Sequence, residues 1–342
     1  MSVAFGASGR LAREETRAVL AATLNELYGA DALLERWSAT PFAKRGKHGL
    51  VRYDLDVRRA SRAGGPAAPL VQRHQWVGKV YERALDGQRV AGVLQALVAT
   101  PGLAGAGVVI PRVLGCWASH RLLLMSYEAG ESVIAALARD GEAVLATIGR
   151  ALAALHAAPV AVEPVRTAAV VLAALRAKVV ELCARLPRET SALSRVLVEL
   201  ERGVPPAPAR LAFLHGDCGP AQLLWREGRV VVLDLDDCAR GDPASDLGNL
   251  FTQLHRLTLR KPGKLAAYVS LRRAILDAYR RAAPADPTLG ARVAWYERMT
   301  LVRKIHSLAC DRTRLRHQGP EAIARRQAEA LRLVAVAQAY AS

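Results

Sequence analysis

Apolar and polar positions change their spacing part-way along the chain. From Arg10 to Tyr28, Leu11, Ala18, Val19, Ala22 and Leu27 recur between charges and the run closes at Gly29, a pattern that predicts an amphipathic helix. Strand-like runs follow around Leu34–Phe42 and Leu50–Val57, and after the Gly/Pro/Ala connector Ser61–Pro69 comes a third, Gln75–Tyr81. A helix is predicted from about Asp86 to Ala99. The turn-rich Pro101–Gly107 then leads to two more strands, Val108–Leu114 and Arg121–Ser126. From Glu131 the pattern is mostly helical. Ala143–His156 places Leu145, Ile148, Leu152 and Leu155 on one face, and Ala168–Leu186 and Ser191–Arg202 continue in the same way. Pro205–Pro208 opens a short interlude of two apolar strands, Leu211–His215 and Arg229–Leu235. Helices resume at Leu265–Ala282, Leu289–Arg316 and Glu321–Ala339.

Composition narrows the class. A chain of 342 residues with 51% hydrophobic content builds one large domain or two ordinary ones. Its longest apolar candidate, Thr167–Leu175, falls short of the roughly eighteen residues that a membrane span needs. The first apolar segment is broken by Arg10, Arg13, Glu14 and Glu15, unlike a secretory signal. A cytoplasmic protein with no membrane partner is the expectation. The five cysteines are scattered without a C-x-x-C pair, which suggests neither a disulfide scaffold nor a zinc site. Cys218 and Cys238 are expected as small buried thiols.

The formal charge of +17 raises nucleic acid as a partner. From Phe251 onward eighteen Lys or Arg stand against six Asp or Glu, so the excess sits mainly in the C-terminal helices. The arginines lack the glycine or aromatic interleaving of RNA-binding tails. An Arg-rich solvated surface is preferred, and nucleic acid is not expected as the partner.

Candidate chemistry lies between Leu211 and Leu250. Asp217 follows the first strand of that stretch, just before the breaker Cys218-Gly219-Pro220, and Gln222 enters the apolar pair Leu223-Leu224. In Arg229–Leu235, period-two alternation predicts Asp234 and Asp236 on one strand face. Hard cations such as Mg²⁺ take oxygen ligands together with substrate phosphates. Asp234, Gln222 and Asp236 are therefore candidate metal ligands, and Asp217 is a candidate for orienting a nucleophile. Turn, cap or strand-end roles explain each Asp singly but not the ordered set.

The runs H-G-D-x-x-x-x-Q (His215–Gln222), L-D-x-D-D (Leu233–Asp237) and G-D-P-x-x-D-L (Gly241–Leu247) resemble the aminoglycoside phosphotransferase family, relatives of the protein kinases. That resemblance implies an α+β, two-lobed kinase-like fold. Residues 1–125 would form a small antiparallel nucleotide-binding lobe with a leading helix. Residues 126–342 would form a larger, mainly helical catalytic and acceptor-binding lobe. It also implies ATP and Mg²⁺ as cofactors and a small-molecule hydroxyl as acceptor, with Asp217 as catalytic base and His215 bracing its loop. Asp234 and Gln222 would stand at the metal positions, and Asp246 would hydrogen-bond the loop from the next helix.

Further positions follow from order and context. Lys79 matches the strand lysine that grips the α- and β-phosphates, although an edge-strand lysine kept for solubility would look alike. The following helix offers Gln88 where a glutamate is usual, so Lys79 would depend on Glu82 or on nucleotide for orientation. Gly46, Lys47 and Gly49 belong to a basic hairpin that could cover phosphates, or equally form a plain surface turn. Arg121–Gly130 resembles the hinge where an adenine bonds main-chain groups near Ser126, Tyr127 and Glu128.

Because acidic residues are scarce in the C-terminal helices, a polycationic antibiotic fits poorly. A neutral or anionic sugar-like, polyol or antibiotic acceptor is favoured. The missing helix glutamate and the Gln at 222 leave a second reading, a nucleotide-binding regulatory module without turnover.

Overall fold

The structure, a computed structural model, describes residues 12–42, 49–59, 70–260, 268–311 and 318–340. It divides into two compact units. The first comprises Met1–Pro101, Val109–Gly130 and Val231–Asp236, and the second Gly102–Val108, Glu131–Val230 and Asp237–Ser342.

The first unit opens with helix α1 (Arg13–Tyr28), where the Glu15 carboxylate accepts from the Ala12 amide at 3.0 Å and satisfies one of the free N–H groups of the first turn. Strands β1 (Ala32–Pro41), β2 (Gly49–Arg59) and β3 (Leu70–Val80) precede helix α2 (Ala84–Val98). Beyond β4 (Val108–Val109) come β5 (Val113–Trp117) and β6 (Leu122–Ser126). An antiparallel sheet runs in the order β1-β2-β3-β6-β5. Strict alternation on β2 sends Val51, Tyr53, Leu55 and Val57 inward, against Val19, Leu20 and Leu24 of α1. The Trp117 indole N–H donates to Thr23 Oγ1 at 2.9 Å and ties β5 to the same helix.

The second unit is mainly helical, with α3 (Val133–Ala157), α4 (Ala168–Arg185), α5 (Thr190–Arg202), α6 (Ala244–Arg260), α7 (Tyr268–Ala282), α8 (Leu289–Ala309) and α9 (Pro320–Ala339). Short strands thread between the helices. β7 (Glu131–Ser132) pairs with β10 (Leu223–Arg226), which turns back into β11 (Arg229–Val232). β8 (Val165–Arg166), β9 (Ala212–Leu214) and β12 (Ala239–Gly241) form a small sheet with β12 in the middle. Several arginines of the basic C-terminal region serve helix packing. Arg256 and Arg260 of α6 pair with Glu329 of α9, and Arg272 of α7 pairs with the buried Glu297 of α8.

Helix α3 approaches α7 closely at Gly149. A Cβ there would lie 2.6 Å from Ala278 Cβ, 2.6 Å from the Ile275 carbonyl oxygen and 2.8 Å from the Tyr279 amide nitrogen. Two of those atoms are backbone, so the helices must separate to admit a side chain. Gly149→Ala is expected to destabilise the protein by roughly 1–3 kcal/mol through overpacking. A denaturant midpoint unchanged from wild type would contradict that contact.

Three expectations change. The strand expected through Leu235 ends at Val232. Asp234 takes a left-handed backbone (φ 63°), and Leu235–Asp237 is a 3₁₀ turn, so Asp234 and Asp236 share no strand face. Asp adopts that conformation more readily than branched residues do. The single strand expected over Val108–Leu114 is two, because Ile110-Pro111-Arg112 intervenes and proline brings no N–H to a ladder. Helix α8 stops at Ala309, capped by Cys310. Gly46 and Lys47 of the basic hairpin lie outside the described residues. Gly49 is the first residue of β2 and pairs with Val80. Among the described residues no helix is long and apolar enough to cross a membrane.

Candidate active site

In the first unit, β3 carries Lys79 into the interior, where only 8% of it is exposed. Its ammonium lies 2.8 Å from Asp234 Oδ1 and 2.6 Å from Asp236 Oδ2. Both oxygens of Asp236 are engaged, because the Tyr81 hydroxyl donates to Oδ1 at 3.0 Å. Burial, and then the Asp236 carboxylate, pushes the Tyr81 hydroxyl far above the usual phenol range and keeps it a donor. Arg89 of α2 donates to the Asp236 carbonyl. Asp236 therefore fixes Lys79 and is poorly placed to be a metal ligand, whereas the Asp234 side chain is 48% exposed and held by Lys79 at one oxygen. Asp234 itself sits in a left-handed backbone conformation just beyond the end of β11.

The carboxylate partners of Lys79 thus come from the L-D-x-D-D run. Gln88 is exposed on α2 with no contact to Lys79, and Glu82 is exposed with its carbonyl accepting from Arg121 at 3.1 Å. Glu82, expected to orient the lysine, is not its partner; Asp234 and Asp236 are. At the hinge-like segment the Ser126 amide donates to the Arg112 carbonyl at 2.9 Å, and the Tyr127 amide to the Gln75 carbonyl at 3.2 Å. The Ser126 hydroxyl donates to Glu128 Oε1 at 2.6 Å. The amides of Ser126 and Tyr127 are therefore already bonded within this unit.

In the second unit, β9 delivers His215-Gly216-Asp217. Asp246, in the first turn of α6 and 1% exposed, accepts the His215 amide at 2.7 Å and the Gly216 amide at 3.0 Å. His156, at the end of α3, lies with Nε2 3.3 Å from Asp246 and Nδ1 2.9 Å from the Tyr279 hydroxyl. Burial raises the Asp246 carboxyl. The hydrogen bond and charge of His156, with His215 and the Gly216 amide, outweigh it and hold the group below the usual carboxylate range. Gly216 sits at φ 84°, and a Cβ there would fall 1.7 Å from the Asp237 carbonyl oxygen, so no other residue fits.

His215 is fully buried, and its Nδ1 accepts the Asp217 amide at 3.4 Å, as a brace would. The Asp217 carboxylate is 39% exposed. Its Oδ1 lies 3.3 Å from the donating Asn249 Nδ2 and 3.6 Å from the Lys304 ammonium. Asn249 also donates to the Cys218 carbonyl at 2.6 Å, which links loop and helix. Gln222 is half-buried and its amide closes a turn on the Gly219 carbonyl at 3.0 Å. Its Oε1 would lie 3.2 Å from a Cβ at 219, so glycine there makes room for the longer side chain. Asp242 caps α6 through the Ala244 amide at 2.9 Å and pairs with the buried Arg292 at 2.9 Å.

Asn249, Lys304 and Tyr81 were not anticipated. Asn249 could have been, since it stands one helical turn after Asp246 and so shares its face. Lys304 comes from α8, eighty-seven positions beyond Asp217, with no local signal.

A sequence profile of the phosphotransferase enzyme family (APH) matches residues 70–286, well over half of the chain and including Lys79, Asp217, Asp234 and Asp246. The chain belongs to this family. No curated protein matches it by sequence. Solved structures of similar fold include aminoglycoside phosphotransferase APH(4)-Ia, with 16% identity over 93% of this chain and 98% of that one and a TM-score of 0.59. Aminoglycoside 2'-phosphotransferase-IIIa, in its GDP complex, gives 16% identity, coverage of 95% and 99%, and a TM-score of 0.59. Macrolide 2'-phosphotransferase MphH from Brachybacterium faecium gives 18% identity, coverage of 92% and 97%, and a TM-score of 0.53. At these identities the likeness is one of fold, and it is the α+β kinase-like fold. Membership of the phosphotransferase enzyme family makes the chain a small-molecule kinase, with ATP and Mg²⁺ as the cofactors implied.

Proposed function

We propose that the protein transfers the γ-phosphate of ATP to a hydroxyl group of a small molecule, with Asp217 as the general base. The observation that carries this reading is the anchoring of Asp217. Its loop is held by Asp246 through two amides, its own amide by His215, and its carboxylate by Asn249, while much of that carboxylate remains exposed. A rigid support of this kind suits phosphoryl transfer, where positioning and charge stabilisation matter more than covalent chemistry.

The donor set suits a hard cation. Asp234 is a half-exposed carboxylate and Gln222 a half-buried amide, and both offer oxygen. Magnesium, when bound, neutralises charge on the phosphates, and the carboxylate of Asp234 would hold it. Lys79, fixed by Asp236, contacts the α- and β-phosphates. The acceptor oxygen forms the new O–P bond, its proton passes to Asp217, and the bond from the γ-phosphorus to the ADP oxygen breaks. His215 and Asp246 keep the base in place and exchange no proton with substrate.

The test is incubation with Mg·ATP and a pooled library of hydroxylated metabolites and antibiotics. A mass gain of one phosphate in some member, abolished by EDTA, is expected. Nucleotide binding with no phosphorylated product from any acceptor would favour the regulatory module instead.

A further inference from the structure

The surroundings of Asp217 in the second unit are cationic. Lys304 lies 3.6 Å from Asp217 Oδ1 with its side chain 18% exposed. Arg303, beside it on α8, is half-buried and has no hydrogen-bond or ion-pair partner among the described residues, and Asp217, Asp237 and Arg166 are the charges that act on it. Arg166 of β8 donates to the Gly216 carbonyl at 3.3 Å and lies 3.8 Å from Asp237. Three cations thus meet two carboxylates, Asp217 and Asp237. A fourth, Arg256, is paired with Glu329, to which it donates at 3.0 and 2.9 Å and which it shares with Arg260.

Burial works against this arrangement. It lowers the pKa of both Arg303 and Lys304, and the Asp217 charge offsets only part of the effect. Buried charges in proteins are ordinarily paired, because an unpaired one forfeits its hydration. Among the described residues the carboxylates here are too few, so the deficit is one that a ligand can fill. A cationic acceptor would bring its ammonium groups against Lys304 and Arg303 while its hydroxyl faced Asp217, and like charges so placed repel. An acceptor bearing a carboxylate, phosphate or sulfate meets the opposite field. Arginine's planar fork matches such groups bidentately.

We infer that the acceptor is an anionic hydroxylated small molecule whose carboxylate, phosphate or sulfate is met by Arg303 and Lys304 while its hydroxyl is presented to Asp217. This deepens the phosphotransferase reading and rests on it. Arg303 is a specificity-determining residue in this account.

The test uses the full chain with Mg·ATP and acceptors sorted by charge: hydroxy acids such as gluconate, sugar phosphates, neutral polyols and sugars, and amino sugars including a polycationic aminoglycoside. ADP release and mass gain are read for each. Product is expected from the acids or sugar phosphates, and which of these two arms gives it names the anion. For that acceptor Arg303→Gln is expected to raise KM roughly 10- to 100-fold, the worth of a charge-assisted hydrogen bond or two. Arg303→Lys should recover part of the loss, and KM for MgATP should stay at the wild-type value.

Preference for neutral or cationic acceptors would overturn the inference and leave the kinase reading standing. So would an Arg303→Gln effect that appears in the KM for MgATP, since the cation would then serve the nucleotide. Absence of product from every class, with nucleotide bound, would remove the kinase reading and this inference with it.

Discussion

Replacing Asp217 by Asn is expected to lower kcat by roughly 10²- to 10⁴-fold, the range set by loss of a positioned general base. Asn keeps the shape and can still accept from Asn249, so the loop should stay folded, with its amides bonded to Asp246 and His215. Nucleotide affinity should be almost unaffected, because Lys79, the residue proposed to grip the phosphates, takes its partners from Asp234 and Asp236. The effect should therefore appear in kcat and kcat/KM for the acceptor alike, the signature of an interaction made in the transition state. Steady-state kinetics with calorimetry of nucleotide binding checks both parts. A variant with wild-type turnover would mean that another group takes the proton.

Asp246→Ala is expected to be the most destabilising single change near the site. It removes a buried carboxylate that accepts the amides of the buried His215 and the half-buried Gly216 and faces the buried His156. Leaving those donors unpaired should lower stability by about 3–5 kcal/mol, the usual penalty for removing one partner of a buried charged network. Because the folded-state pKa of Asp246 lies below its unfolded value, its contribution is present at neutral pH. It is lost as pH falls below about 3.9 and through the lower folded value. The gap between wild type and variant in urea midpoint should accordingly be widest near pH 7 and narrow in acid. A gap that widened on acidification would contradict the assignment of Asp246 as a buried carboxylate.

Much of this architecture was readable because the chemistry is written at short range. Asp217, His215 and Gln222 lie within eight residues, and Asp234 and Asp246 follow at motif spacing, so the resemblance that implies a kinase-like arrangement rests on one short stretch. The alternation of Val51, Tyr53, Leu55 and Val57 likewise announced a strand buried on one face. What the pattern missed depends on distant or unusual backbone. Period two placed Asp234 and Asp236 on a strand, whereas a left-handed residue at 234 ends the regular geometry and lets both acids reach Lys79. The carboxylate that meets Lys79 is likewise invisible at short range, because Asp234 lies 155 residues away in sequence. Lys304 and Arg303 fall in a basic helical stretch where the composition suggests only a solvated face. The role proposed for them follows from α8 bringing Lys304 within 3.6 Å of Asp217.

In the proposed function, Asp217 and the Lys79–Asp234 pair serve one phosphoryl-transfer reaction. The most direct measurement is a crystal structure of the full chain with Mg·AMP-PNP. Lys79 is expected on the α- and β-phosphates, the cation on an oxygen of Asp234, and the γ-phosphate directed toward Asp217. A nucleotide bound with its γ-phosphate remote from Asp217, or a cation held without Asp234, would contradict it.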